Sequence, residues 1–330
     1  MKEKKPLVSV IIANFNYGRY LTECIESVLS QSYQNIDIFI SDNESTDDSW
    51  DILTNFDKRF PGKFSIAKNN RNKGAQFNYR TWFSQLSSDY RITLTSDDVL
   101  EEKFVEKAVE LLELYPECEF LIAHRKIIAT DNSVLEEPPF FNQSCIMYPP
   151  GLSMLFMTAA VNPTLSQIVY RASRSPYDQR VPLSEEGPYR EYFRARVNDF
   201  LLSLSNPTIY LKEPLIRHRE HDQMHTMTAE KYMMNIMGAY GLAFEFMEYA
   251  RIHTPQFSQE FRNRLPAAIE KHAFTALRYC ARFILIGDFE LAEKYFFLSR
   301  SLCPSIINES IAIDISDILL LFILHINFQS

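Results

Sequence analysis

The chain has 330 residues, with 34 Lys and Arg set against 42 Asp and Glu, a formal net charge of −8. Its 46% apolar and 23% charged residues are ordinary globular usage, and the acidic balance excludes a nucleic-acid protein with a broad basic face. Glycine is scarce: there are 8, where average usage of about 7% would give roughly 23. They form neither G-x-G-x-x-G nor G-x-x-x-x-G-K-[ST], which excludes a glycine-cradled phosphate site.

Taken in chain order, the first 130 residues alternate two periods. Leu7–Ala13 is a nearly unbroken β-branched run, the pattern of a strand buried on both faces. Leu21, Ile25, Val28 and Leu29 recur at helical spacing, and Ile36–Ile40 predicts a second strand that ends in Ser41-Asp42-Asn43. Ser45 or Thr46 caps a helix carrying Trp50, Leu53 and Phe56. Strands are predicted over Phe64–Ala67, Tyr90–Thr95 and Phe120–Ala129, and helices over Gln76–Leu86 and Phe104–Leu114. Such alternation predicts a largely parallel sheet covered by helices. From Asp131 to Pro150 the pattern reads as a loop. Strands return at Leu165–Tyr170 and Thr208–Ile216, with helices near Gly151–Ala160 and Tyr189–Leu204. Beyond about Thr226 helical periodicity takes over. The expected division is an α/β domain over residues 1–225 and a helical region over 226–330.

The five cysteines form no C-x-x-C pair, so zinc-ribbon and thioredoxin readings fail. Met1–Pro6 is basic but runs straight into a strand, without the apolar stretch of a signal peptide. The reducing cytoplasm is the expected compartment.

Two acidic clusters stand at predicted strand ends, where open α/β sheets bind ligands: Asp42, and the pair Asp97-Asp98. Alone, Asp42 reads equally well as a turn or cap residue. Adjacent carboxylates repel unless a cation or donors balance them. Hard oxygen ligands there suit Mg²⁺ or Mn²⁺, which bridge to phosphate oxygens.

These residues resemble a known family. Val8–Asn16 (VSVIIANFN), Leu21–Ser32, Ser41–Asp47, Asn72-Lys73-Gly74 and Thr95–Leu100 (TSDDVL) are similar, in order and spacing, to the family 2 glycosyltransferases. The likeness is specific over about residues 6–130 and weaker over 165–225. It implies a GT-A-like α/β fold with a mostly parallel sheet, a nucleotide-sugar donor (a UDP-sugar favoured), a Mn²⁺ or Mg²⁺ cofactor, and inverting transfer to an acceptor hydroxyl. The acceptor class it implies is a glycan or lipid-linked sugar of bacterial capsule, lipopolysaccharide or other glycan synthesis. Carried over residue by residue, Ala13 and Asn16 line the nucleotide pocket and Asp42 accepts a hydrogen bond from the base. Asp97 approaches the ribose or the metal, and Asp98 coordinates the metal. Many relatives place an arginine five residues after the N-x-G glycine; here Tyr79 stands there, and Asn78 is expected to take part of that role. The segment Val197–Leu204 resembles the acceptor-side helix that carries the catalytic carboxylate. Asp199 is the expected base, with Glu185, Glu186 and Glu191 as alternatives; Asn198 stands where Glu is usual. In Arg217-His218-Arg219-Glu220-His221, Arg219 is expected to clamp the diphosphate and His221 to be a third metal ligand.

Two rival readings stay open. A nucleotidyltransferase would need a Gly- and Arg/Lys-rich first loop, and Asn14–Arg19 is poor in both. A non-catalytic nucleotide-sugar-binding protein is favoured only by Asn198. At the end of the chain, Ile306–Phe328 is strongly apolar but interrupted by Glu309, Asp314 and Asp317, and it carries no Lys or Arg. Packing on the helical region or a subunit interface between copies is therefore expected of it rather than membrane insertion. Arg262, Arg264, Lys271, Arg278 and Arg282 offer a separate route for peripheral contact with the inner leaflet.

Overall fold

The computed structural model describes residues 5–74, 77–79, 82, 86–135, 137–172, 190–221 and 229–305, with the side chains of 190–196 and 229–231 excepted. The chain divides into two compact units. The first comprises Met1–Leu152, Asn162–Ser184 and Leu202–Asp222, and the second Ser153–Val161, Glu185–Leu201 and Gln223–Ser330.

The first unit is built on one ten-stranded sheet. Its strands are β1 (Val8–Asn14), β2 (Ile36–Asp42), β3 (Phe64–Lys68), β4 (Tyr90–Thr95), β5 (Val99–Leu100), β6 (Phe120–Ile128), β7 (Val134–Leu135), β8 (Cys145–Met147), β9 (Ile168–Arg171) and β10 (Thr208–Arg219). The order is β3-β2-β1-β4-β9-β6-β10-β5, with β7 on β6 and β8 on β10. The pairings β2–β3, β1–β2, β1–β4 and β6–β10 are parallel. Those of β9, β5, β7 and β8 are antiparallel and short. The parallel pattern of the first half is therefore real, and the later strands turn the sheet into a mixed one. β7 and β8 lie in the stretch read from sequence as loop; two or three residues give no countable period. The strand expected at Leu165 starts at Ile168, because Leu165–Gln167 is a 3₁₀ turn whose Thr164 and Gln167 side chains cap it reciprocally.

Helices α1 (Gly18–Leu29), α2 (Ser49–Arg59) and α3 (Phe104–Leu114) belong to this unit. Val8, Val10 and Ile12 point into the main core with Leu21, Ile25, Leu53 and Phe104. Ile11 packs on the opposite face with Tyr79 and Trp82. Alternate side chains of a strand face opposite ways, so β1 must be apolar throughout.

The remaining helices are α4 (Gly151–Met157), α5 (Arg190–Ser205), α6 (Ala229–His253), α7 (Ser258–Leu285) and α8 (Phe289–Leu302). In the second unit Ala276 and Cys280 of α7 admit close packing by Ile236 of α6 and by Ala292 and Tyr295 of α8. Phe200 of α5 stacks on Phe246 of α6, ring centroids 3.9 Å apart and 4° from parallel. No helix among the described residues is long and apolar enough to cross a membrane.

Candidate active site

The carboxyl ends of β1, β2 and β4 meet the end of β10. At the end of β1, Asn14 donates through Nδ2 to Asp42 Oδ2 at 3.1 Å and to Ser45 Oγ at 3.2 Å. Asp42 Oδ1 accepts from the Ser45 backbone N–H at 3.0 Å. Asn16 adopts a φ of 57°, a left-handed conformation that Asn tolerates better than most residues. Its N–H donates to Ser45 Oγ and its Oδ1 accepts from the Thr46 N–H. Asp42 thus ties two strand-end loops together and has no exposed surface. This differs from the expectation that its carboxylate points at a base. Ala13 is half-buried and Asn16 exposed beside it. Asn78 is buried, and its Oδ1 accepts from Asn69 Nδ2; it braces the loop that Asn43 also holds through Asn69, Asn72 and Lys73.

The second cluster forms where β4 meets β10. Asp98 is fully buried. Its Oδ2 accepts from Thr95 Oγ1 at 2.6 Å, and its Oδ1 lies 2.9 Å from His218 Nδ1 and accepts from the Arg219 N–H at 3.1 Å. Burial by itself would raise the Asp98 carboxyl; the facing His218 and hydrogen bonds from His218, Ser166 and Thr95 outweigh it and hold it below its usual value. Both oxygens are engaged by protein donors. Asp98, the expected metal ligand, here bolts β4 to β10.

Asp97 is placed otherwise. Its Oδ2 lies 3.2 Å from His221 Nε2, and no described residue donates to Oδ1. The His221 ring sits between Tyr17 and Tyr20, with centroids at 5.3 and 5.0 Å, and its buried Nδ1 has no partner among the described residues. Arg219 is also reassigned. It is 1% exposed. Nε donates to the Asp97 carbonyl, Nη1 to the Ala129 carbonyl and Asn132, and Nη2 to Glu23 at 2.7 Å. With every guanidinium nitrogen spent inside the protein, it fixes the backbone of Asp97 and is not presented to a diphosphate.

A cation at this place would meet two protein donors. Neighbouring corners of an octahedron with Mg²⁺-length bonds lie about 2.9 Å apart, close to the 3.2 Å between Asp97 Oδ2 and His221 Nε2. Among the described residues no group of three or more His, Cys, Asp or Glu could hold a metal. A two-residue donor set suits a cation that arrives with phosphates, since such ions keep most of their ligands from water and substrate. The residues fit that case, with Asp97 and His221 as the protein's share.

Asp199 lies on α5 in the second unit, 1% exposed. Glu191 is on the same helix, its side chain outside the described residues, as are Glu185 and Glu186 altogether. Sequence reasoning missed His218. Its neighbours in the charged run were noted, but nothing in their spacing tells which imidazole faces which carboxylate across β10.

Residues 9–143 match the sequence profile of Glycosyl transferase family 2. These residues form a family 2 glycosyltransferase domain. The domain is 36% identical over 107 residues to an uncharacterized glycosyltransferase of Nostoc, covering 32% of this chain and 33% of the relative. It is 40% identical over 92 residues to the Escherichia coli UDP-Glc:alpha-D-GlcNAc-diphosphoundecaprenol beta-1,3-glucosyltransferase WfaP, covering 28% of this chain and 36% of that one. The aligned stretches thus span about a third of the relatives' length. The fold is similar to that of Staphylococcus aureus TarS solved with UDP-GlcNAc, with a TM-score of 0.55 over 89% of this chain and 91% of that one, at 14% identity. The glycosyltransferase domain with its GT-A-like fold therefore stands on both sequence and structure.

Proposed function

We propose that the chain is an inverting glycosyltransferase that moves a sugar from a nucleotide-diphosphate donor, a UDP-sugar by preference, to an acceptor hydroxyl in bacterial surface-glycan synthesis. The observation that carries this reading is Asp97. It is a strand-end carboxylate with an oxygen that no described residue donates to, while Asp98, Arg219 and His218 are spent on holding it there. The nucleotide would lie over the ends of β1 and β2, against Ala13 and Asn16. Asp97 and His221 would hold Mn²⁺ or Mg²⁺ brought with the diphosphate, and that cation, when bound, would neutralise charge on the leaving group. Asp199 is the proposed base that takes the acceptor proton; inversion follows from attack on the face opposite the leaving group, with no sugar-enzyme bond. The likeness to WfaP, a UDP-Glc:alpha-D-GlcNAc-diphosphoundecaprenol glucosyltransferase, supports a UDP-sugar donor and a lipid-diphosphate-linked acceptor.

Release of nucleoside diphosphate from UDP-, GDP- and dTDP-sugars, and of nucleoside monophosphate from CMP-sugars, with Mn²⁺ and with a lipid-linked or free glycan acceptor, tests the proposal. Acceptor-stimulated UDP release is the expected result. Tight nucleotide-sugar binding without release under any acceptor would favour a binding protein instead.

A further inference from the structure

Helix α7 carries a feature that sugar transfer does not use. Positions 264, 271, 275, 278 and 282 recur at spacings of seven, four, three and four residues and so share one face of the helix. They hold Arg264, Lys271, Thr275, Arg278 and Arg282. Around the C-terminal part of this face is a cavity of about 300 Å³ lined by Thr275, Arg278, Tyr279 and Arg282. Both arginines are exposed, and neither has an acidic partner among the described residues. That is unusual in a chain whose carboxylates outnumber its cations. Like charges four residues apart oppose the helix, so an anion in the cavity relieves a repulsion the fold otherwise carries. The Thr275 hydroxyl donates to the Lys271 carbonyl at 2.8 Å and the Tyr279 hydroxyl is bonded to Tyr232, so the two guanidinium forks are the donors this cavity offers to phosphate oxygens.

The second observation adjoins the first. At the end of α7, Phe283 and Ile284 pack inward against the core of Ala276, Cys280 and Tyr295. The next two residues do not: Leu285 is 74% and Ile286 68% exposed, and Phe289, which opens α8, is 39% exposed. Leu285 lies seven residues beyond Arg278, on the same side of the helix. The carboxylates close to this tip are engaged. Asp288 caps α8 by accepting from the Leu291 N–H at 3.1 Å, and Glu290 pairs with Lys294 at 2.7 Å. Exposed apolar side chains beside unpaired arginines match the boundary of a bilayer, where phosphates lie next to hydrocarbon.

We propose that the α7–α8 tip is a peripheral membrane site, in which Arg278 and Arg282 receive the phosphate of an anionic lipid headgroup while Leu285, Ile286 and Phe289 enter the acyl boundary. The site is separate from the nucleotide site, and its test requires no sugar transfer.

The full chain is sedimented with vesicles of phosphatidylcholine, with and without phosphatidylglycerol. The proposal expects binding to the anionic vesicles. It expects a loss of about tenfold or more in Arg278→Gln/Arg282→Gln, since each basic residue near such a surface contributes about a fivefold factor. Leu285→Ser/Ile286→Ser should lose the binding that survives high salt. All variants should keep the wild-type melting curve and donor-induced thermal shift. Equal binding to neutral vesicles, or wild-type binding by the double-arginine variant, would overturn the proposal; the latter would move membrane contact elsewhere, for example to residues 306–330. Two further results would overturn it in favour of other occupants. One is calorimetric binding of inorganic pyrophosphate, abolished by the arginine changes, with no vesicle binding. The other is a dimer that dissociates in Leu285→Ser/Ile286→Ser, again with no vesicle binding.

Discussion

Asp97 and Asp98 are neighbours with opposite fates. Asp98 has a hydroxyl, an imidazole and a backbone N–H on its two oxygens; among the described residues the Asp97 carboxylate meets an imidazole alone. Removing Asp98 would leave His218 and several donors buried without their carboxylate. Asp98→Ala should therefore cost about 3–5 kcal/mol, the range for breaking a buried pair. Asp97→Asn should leave the fold intact and lose the donor binding that depends on Mn²⁺. Both tryptophans, Trp50 and Trp82, lie in the first unit, so tryptophan fluorescence during urea unfolding measures the difference. A stable Asp98→Ala protein would refute the bolt. Asp42 makes a parallel case: Asp42→Ala strands the Ser45 N–H and one of the two Asn14 Nδ2 hydrogens, the other keeping Ser45 Oγ, at about 1–3 kcal/mol for each buried group left unpaired. Melting should drop by several degrees, at about 2–4 °C per kcal/mol for a domain of this size. An unchanged melting temperature with a raised donor KM would restore the base-reading role. Asp199→Asn should cost about 10²–10⁴ in kcat with donor affinity kept; full turnover would remove Asp199 as the base.

The elements of the first unit were legible wherever period and length agreed. β1 announces itself as an apolar run, β4 by the alternation of Tyr90, Ile92 and Leu94, and α1 and α3 by helical spacing, because each lies against one continuous core. The acidic strand ends were legible too, since Asp42, Asp97 and Asp98 follow apolar runs directly. What could not be read was partnership across the sheet. β10 shifts register on β6 between Leu211, Pro214 and Ile216; Pro214 has no N–H to give the ladder. That irregularity decides which of Arg217, His218 and Arg219 faces Asp98. In the second unit, His272 on α7 is 4% exposed, and its Nε2 has no partner among the described residues. Burial, with Lys271 adding to it, lowers its pKa from 6.5 to about 4. The folded state therefore keeps it neutral, while the unfolded state takes up a proton below about 6.5. Stability is complete above that pH and declines as pH falls towards 4, by on the order of 3 kcal/mol. Far-UV circular dichroism during urea unfolding should show this loss in the wild type and a flatter profile in His272→Gln. Identical pH profiles would show that His272 is not the group responsible.

At the scale of the whole molecule, the sheet places its parallel strand ends and the end of β10 at one site, and the family likeness falls on the ends of β1, β2 and β4. Residues 9–143 match the family profile, yet Arg219 and His221, which hold Asp97 in place, lie far beyond that stretch. The first unit recruits them through the β6–β10 pairing. The central claim is that this site binds a nucleotide-diphosphate sugar through a cation on Asp97. Isothermal titration of UDP-sugar into the full chain, with Mn²⁺ and with chelator, and into Asp97→Asn, measures it directly. The account predicts binding that requires Mn²⁺ in the wild type and is lost in Asp97→Asn, whose melting curve stays that of the wild type. Equal affinity in chelator, or undiminished Mn²⁺-dependent binding by Asp97→Asn, would contradict it.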